Sequence, residues 1–197
     1  MRDICITAHT GACRTKSNTV ESARAGLACP GVGCIEADIR FLSCGAPALG
    51  HDWVNSNSPR LADVFALMQS NNVLINLDMK EITHVDQMIK LLDTYGLRGR
   101  AFMTGLREDD CKMLRNCGLA YYLNGTDITA AKQLGAIGVN FHHQKCSEAL
   151  VHAAHEAGLL VSVFTVDKRR AMKKMVALGV DNITTRRPNV LAGVIGL

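Results

Sequence analysis

Little of the 197-residue sequence is aromatic: five phenylalanines, three tyrosines and one tryptophan make up 5%. Aromatic and basic side chains therefore do not interleave in the pattern that stacks and neutralises nucleic acid. Excess charge is also small, a formal +4, and Lys and Arg are scattered. The one short basic run, Lys168-Arg169-Arg170, reads as a solvated helix start. A field that weak suits a small anionic substrate and argues against a nucleic-acid partner. No apolar run approaches the roughly 20 residues a spanning helix needs, so no membrane span is expected. No CxxC pair occurs, and the eight cysteines fall singly at irregular spacing. In a chain too long to need staples, that argues against both a zinc site and a disulfide framework. Cys5 and Cys34 fall in expected core strands, where a free thiol acts as a small hydrophobe. Met1-Arg2-Asp3-Ile4-Cys5-Ile6 already reads as a strand rather than a charged segment leading an apolar one, and a reduced cytoplasm is the simplest address. Linkers and low-complexity stretches are missing too, so residues 1–197 are expected to form a single domain.

What is present is an alternation of short β-type runs and helical stretches. Strands are expected at Ile4–Ala8, Cys34–Phe41 and Val73–Met79, with an extended piece at Pro47–His51. Further strands are expected at Ala101–Thr104, Ala120–Leu123, Gly138–Phe141, Leu160–Val166 and Asn182–Thr184. Helices are expected at Thr19–Cys29, Arg60–Ser70, Val85–Tyr95, Ser147–Ala157 and Arg169–Leu178. In the second of these, Leu61, Val64, Phe65, Leu67 and Met68 share one apolar face. Gly96 follows the third as a left-handed cap, and Gly158 and Gly179 closely follow the last two. Eight such βα units with tight loops predict a parallel sheet closed into a (β/α)8 TIM barrel. With 48% hydrophobic and 20% charged residues, the chain has the composition to fill one globular core.

In a barrel of this kind the reacting groups stand at the C-terminal ends of the strands. Polar residues do cluster there: His9 ends the first strand, Glu36 and Asp38 lie on the second, His51 ends its extension, and Asp78 and Lys80 end the third. Glu36 and Asp38 are two residues apart on a strand, so both point to one face and repel unless a cation lies between them. Asp78 supplies a third oxygen from the neighbouring strand. Three hard oxygen ligands with open positions suit Mg²⁺ or Ca²⁺. Lys80 shares the face of Asp78 and offers a fixed charge to a phosphate oxygen.

Taken in order, these residues resemble the glycerophosphodiester phosphodiesterase family. Ala8-His9-Thr10-Gly11-Ala12 with Asn18-Thr19-Val20-Glu21-Ser22 is similar to that family's HRGA…ENTxxA opening. Glu36-Ala37-Asp38-Ile39-Arg40 resembles its ExDxR strand, His51-Asp52 its HD dipeptide, and Asp78-Met79-Lys80 its ExK strand. Leu160–Val166, Gly179-Val180-Asp181 and Thr185-Arg186-Arg187-Pro188 resemble its closing block. The resemblance implies that His9 and His51 are the acid/base pair, that Glu36, Asp38 and Asp78 hold a divalent metal, and that Lys80 sits near the phosphate. Either histidine fits either role, and either water or the substrate's own glycerol hydroxyl fits as first nucleophile. The implied reaction is metal-dependent hydrolysis of a small phosphodiester such as glycerophosphocholine to glycerol 3-phosphate and an alcohol.

Several positions depart from the family pattern. Thr10 stands where the family has an arginine, leaving Arg14 or Arg40 to replace its guanidinium. Asp78 is one methylene shorter than the family's glutamate, Phe164 replaces a common tryptophan, and Arg186 replaces an acid. Few residues separate His51 from Pro59-Arg60-Leu61, where the family inserts a small subdomain, so an open mouth is expected. Trp53 and Phe164 are expected to wall the substrate. A homodimer is compatible with so bare a mouth. The rival readings are activity on another phosphodiester, including the cyclising reaction of the related phospholipase D toxins, and a barrel that binds a phosphorylated ligand without turning it over. A metal-free sugar-phosphate enzyme would need a glycine-rich loop after the seventh or eighth strand, which Thr184-Thr185-Arg186-Arg187-Pro188 does not supply.

Overall fold

A computed structural model describes residues 4–197. The part of the first-strand expectation that falls on Met1–Asp3 lies outside the described residues. Nine strands form one sheet: β1 (Cys5–Ala8), β2 (Val32–Phe41), β3 (Pro47–Leu49), β4 (Leu74–Met79), β5 (Ala101–Leu106), β6 (Ala120–Asn124), β7 (Gly138–His142), β8 (Leu160–Phe164) and β9 (Asn182–Thr185). All but β3 are parallel to their neighbours, and β1 pairs with both β2 and β9, closing an eight-stranded barrel. Eight helices surround it: α1 (Val20–Ala28), α2 (Leu61–Met68), α3 (Val85–Thr94), α4 (Glu108–Leu114), α5 (Ile128–Leu134), α6 (Glu148–Glu156), α7 (Arg169–Leu178) and α8 (Pro188–Ile195). The fold is the expected (β/α)8 barrel, with boundaries mostly within two residues of those read from the sequence.

The two faces of each strand separate by the strand's period of two. Ile35, Ala37 and Ile39 on β2, with Ile75, Leu77 and Met79 on β4, belong to the buried apolar layer that packs with the helices. The alternate residues are polar and also buried: Glu36, Asp38, Asn76, Thr104, Asn140, Ser162, Asn182 and Thr184. They satisfy one another inside the barrel. Thr7 Oγ1 donates to Asn182 Oδ1 at 2.6 Å, Asn182 Nδ2 to Ser162 Oγ at 2.9 Å, and Thr104 Oγ1 to Asn76 Oδ1 at 2.8 Å. Pairing of this kind offsets the cost of burying polar groups.

On the outer layer α2 buries Leu61, Val64, Phe65 and Met68 completely. Leu67, expected on the same face, is only half-buried, because spacings of three and four from Leu61 pass it by. Thr19, Asp127 and Ser147 cap α1, α5 and α6 by accepting from Ser22, Ala130 and Leu150 backbone N–H groups. Gly96 takes positive φ as expected, and so do Gly158 and Gly179.

β2 is ten residues long and overshoots the barrel, so that β3 turns back antiparallel on its end with Ile39 facing Leu49 and Phe41 facing Pro47. The strand expected to run on to His51 stops at Leu49. Gly50 still donates its N–H to the Asp38 carbonyl at 3.1 Å, in register with the pairing, and beyond it His51 and Asp52 are exposed.

Candidate functional site

Register brings the acids together. β2 and β4 pair with Glu36 opposite Asn76 and Asp38 opposite Asp78, while Asp78 faces Thr104 on β5. Glu36, Asp38 and Asp78 each offer an oxygen within 4.8 Å of the other two. Glu36 and Asp38 are buried. Lys80, just past the end of β4, places its Nζ 2.5 Å from Asp78 Oδ2 and 3.0 Å from Asp38 Oδ1. The ammonium thus lies between two of the three acids.

The electrostatics follow from that packing. Burial, then the charges of Asp78 and Asp38, push the Glu36 carboxyl well above the usual carboxylate range, against the pull of the Thr10 N–H. Burial raises Asp78 as well and outweighs Lys80. Asp38 is also desolvated, yet Lys80 and the Asn18 amide together hold it below its ordinary value. Lys80 is desolvated too, but Asp78 and Asp38 keep its affinity for the proton above that of a free lysine. With all four groups ionised, three carboxylates and one ammonium leave two uncompensated negative charges. Thr10 N–H, at 2.7 Å from Oε2, is the hydrogen bond that Glu36 accepts.

The loop after β1 supports this cluster from the other side. His9 donates its backbone N–H to Thr185 O at 2.9 Å, and its Nδ1 lies 2.5 Å from Thr10 O and 3.7 Å from Glu36 Oε2. A carbonyl only accepts, so Nδ1 carries the proton and Nε2 holds the free lone pair. Burial, reinforced by the nearby Arg186 charge, holds the His9 imidazole below its usual range against the Thr10 carbonyl, Asp38 and Asp167. Thr10 is buried and its hydroxyl accepts from Asn18 N at 2.5 Å. Asn18 Nδ2 in turn donates to Asp38 Oδ2 at 2.9 Å. Thr10 is therefore a loop tie, not a stand-in for a guanidinium.

A cavity of about 510 Å³ opens over the cluster, and His9, Glu36, Asp78, Lys80, Arg107 and Phe164 are among its walls. Of the residues read from the sequence, these bring His9, two acids, Lys80 and Phe164 to one space, with Asp38 behind Lys80. The other four stand outside the lining. His51 is 63% exposed, with Nδ1 2.7 Å from Asp52 Oδ1. Trp53 beside it is 70% exposed. Arg40 donates Nε to His51 O at 2.9 Å and pairs with Glu81 at 3.4 Å, so it braces the loop carrying His51. Arg14 is exposed, in a left-handed conformation at φ 65°.

Sequence reasoning passed over Arg107, which follows β5 and lines the cavity. Its place at the C-terminal end of a barrel strand was the available signal. Arg186 was read only as a departure from a pattern. Its guanidinium is held 3.0 Å from Asp167 Oδ2 beside the His9 loop, whose Cys13 N–H donates to Arg186 O at 3.1 Å.

Three carboxylate donors, in a cluster whose net charge with Lys80 is minus two when all are ionised, fit a hard divalent cation and no soft metal. Among the described residues no helix is long and apolar enough to cross a membrane.

Comparisons with known proteins agree with the geometry. Residues 118–190 match the model of the Glycerophosphoryl diester phosphodiesterase family. A glycerophosphodiester phosphodiesterase of Caldanaerobacter subterraneus subsp. tengcongensis is 21% identical over 175 residues, covering 80% of this chain and 70% of that protein. Among solved structures, a Parabacteroides distasonis glycerophosphodiester phosphodiesterase superposes with a TM-score of 0.81 at 19% identity, over 99% of this chain and 98% of that one. An Oleispira antarctica phosphodiesterase, solved in complex with its product sn-glycerol-3-phosphate, gives 0.82 at 17% identity over 98% and 97%.

Proposed function

We propose that the chain is a phosphoric diester hydrolase of the glycerophosphodiester phosphodiesterase family, which its likeness to that family supports, and that it cleaves glycerophosphodiesters such as glycerophosphocholine to glycerol 3-phosphate and an alcohol. The observation that carries this reading is the trio Glu36, Asp38 and Asp78, with mutual oxygen distances within 4.8 Å, beside the His9 ring at the cavity wall. Glu36, Asp38 and Asp78 would hold Mg²⁺ or Ca²⁺, which supplies polarisation of the phosphoryl oxygens and offsets the charge that builds on them.

His9 presents Nε2 to the cavity because Thr10 O fixes the proton on Nδ1, and it takes the proton of the attacking hydroxyl, from water or the substrate's glycerol. His51 gives a proton to the departing alcohol oxygen. Asp52, at 2.7 Å, accepts from Nδ1 of that ring and balances its charge when both nitrogens are protonated. The exposure of His51 fits an acid that meets the leaving group at the rim. Lys80 and Arg107 line the space where the phosphate sits, and Lys80 also favours the ionised form of Asp38. Arg186 supplies a positive charge near the position that Thr10 leaves uncharged. Arg14, Arg40 and Trp53 are assigned to the outer rim, where a variable head group extends, and Phe164 to the cavity wall.

The test is release of glycerol 3-phosphate from glycerophosphocholine by metal-stripped protein, with Mg²⁺ or Ca²⁺ restored, beside His9→Ala. The proposal expects turnover that needs the ion and falls by roughly 10²–10⁴-fold in the variant, the range for losing a general base. No product with either ion, despite measurable ion binding, excludes this substrate and points to another phosphodiester or to ligand binding without turnover.

A further inference from the structure

The spacing of the eight cysteines gives no hint of pairing, yet two of them meet in space. Cys13 Sγ and Cys29 Sγ lie 2.8 Å apart, closer than two sulfurs come without a hydrogen bond or a bond between them. Cys13 sits in the one-turn 3₁₀ segment Ala12–Arg14 that follows the His9-Thr10-Gly11 stretch, and Cys29 caps the far end of α1. The contact therefore spans the loop and helix that separate β1 from β2.

That loop is held in an unusual shape. Cys13, Arg14 and Asn18 all take positive φ, at 56°, 65° and 58°, a region non-glycine residues occupy only where their surroundings hold them. The same loop supplies the supports of the acidic cluster: Thr10 N–H to Glu36 and Asn18 Nδ2 to Asp38. Gly11 N–H is tied to Ser22 Oγ on α1 at 2.7 Å. A second tie between loop and helix at residues 13 and 29 closes the frame.

We propose that Cys13 and Cys29 are a disulfide-forming pair, oxidised by a peroxide, that clamps the β1–α1 loop beneath the site. Cys13 is exposed, so it meets the oxidant first. Its sulfur attacks one peroxide oxygen, giving a sulfenic acid and water (or an alcohol from an organic peroxide). The Cys29 sulfur then attacks the sulfenic sulfur, the S–S bond forms, and a second water leaves with the hydroxyl and the thiol proton. Two thiols are oxidised and one peroxide is reduced. Burial, then the Cys13 sulfur beside it, push the Cys29 thiol up to about 12, so Cys29 suits the resolving rather than the attacking role. Cys44, the other exposed cysteine among the described residues, lies in the β2–β3 turn and serves as an internal control.

The test needs no turnover and is independent of the proposed substrate. The reduced full chain is treated with one equivalent of hydrogen peroxide, and its intact mass and proteolytic map are read. The expected result is a loss of about 2 Da, two of the eight thiols no longer titratable, and a peptide containing Cys13 linked to one containing Cys29. A crosslink closing a loop of this size should raise the Tm of the oxidised form by on the order of 5–10 °C. Cys13→Ser and Cys29→Ser should each abolish the crosslink and the Tm difference, while Cys44→Ser keeps both. Recovery of Cys13 as a sulfinic acid, a bridge to Cys44 or to a second chain, or a crosslink with no change in Tm would overturn the proposal.

Discussion

Replacing Lys80 with methionine removes the ammonium between Asp38 and Asp78 while keeping a side chain of similar length. Lys80 is 17% exposed, and its partners are 5% and 20% exposed, so little water replaces the lost charge. Breaking a buried pair by deleting one partner costs about 3–5 kcal/mol, and the partial access of Asp78 points to the lower end. With a urea m-value of about 2 kcal/mol per molar, a loss of about 3 kcal/mol lowers the midpoint by about 1.5 M in chelator. The deficit depends on pH. Glu36 has its carboxyl raised in the folded state by burial and by Asp78 and Asp38, so folding favours its protonated form. Its contribution is present at low pH and lost as pH rises through the raised value. In Lys80→Met all three acids lose their counter-charge, so the deficit is largest at neutral and alkaline pH and shrinks toward the ordinary carboxylate range. Mg²⁺ at about 100 times the native chain's Kd returns about 2.7 kcal/mol to the native chain, and the same concentration returns more to the variant, where no ammonium competes for Asp38 and Asp78. A midpoint in chelator within about 0.3 M of the native chain, or a deficit that Mg²⁺ leaves untouched, would refute this electrostatic reasoning.

Two other perturbations probe how the site is held. Gly105 follows Thr104 at φ 81°, and a Cβ there would lie 2.4 Å from Met79 O and 2.5 Å from Asp78 Oδ1. Gly105→Ala should cost about 3 kcal/mol by urea unfolding, through left-handed strain and overpacking, and should weaken Mg²⁺ binding by displacing Asp78. Asp167 is partly desolvated, yet the Arg186 N–H at 2.8 Å and the Arg186 guanidinium at 3.0 Å hold its carboxyl below the usual range. Its stabilisation is present above the unfolded value and lost as pH falls through the folded one. Asp167→Asn should therefore lose about 1 kcal/mol at pH 7 after solvent screening, and the two unfolding curves should converge below pH of about 4.

Much of this fold was legible because local pattern and global architecture agree. Strands such as Val73–Met79 announced themselves by a mostly apolar run, interrupted only at Asn76 and Asp78, and Gly96, Gly158 and Gly179 marked helix ends by the one backbone region only glycine enters freely. The acids were legible because a strand's period of two fixes the face of Glu36 and Asp38 without any knowledge of the neighbours. The expected strand to His51 ends at Leu49, with the Gly50 N–H to Asp38 carbonyl bond as the last rung in register with the β2–β3 pairing, a limit set by the hairpin and encoded in no local pattern. Lys80 was placed on the right face, but its choice of Asp38 and Asp78 depends on the β2–β4 register, which sets opposite pairs only once the barrel closes. Arg107 and Arg186 reach the site on loops from separated strands, so their proximity is a property of the closed barrel and leaves no trace in spacing along the chain. The Cys13–Cys29 contact closes within the single β1–α1–β2 unit, through a loop whose positive φ angles no local pattern encodes.

The central claim is that Glu36, Asp38 and Asp78 together seat one divalent cation at the barrel mouth. Calorimetric titration of Mg²⁺ into metal-stripped protein, beside Glu36→Gln, tests it directly. The account predicts one ion per native chain and binding weakened by at least about 100-fold in the variant, about 2.7 kcal/mol, since a charged ligand is replaced by a neutral one. Equal affinity in the two proteins would contradict it and place the ion, and the chemistry built on it, elsewhere.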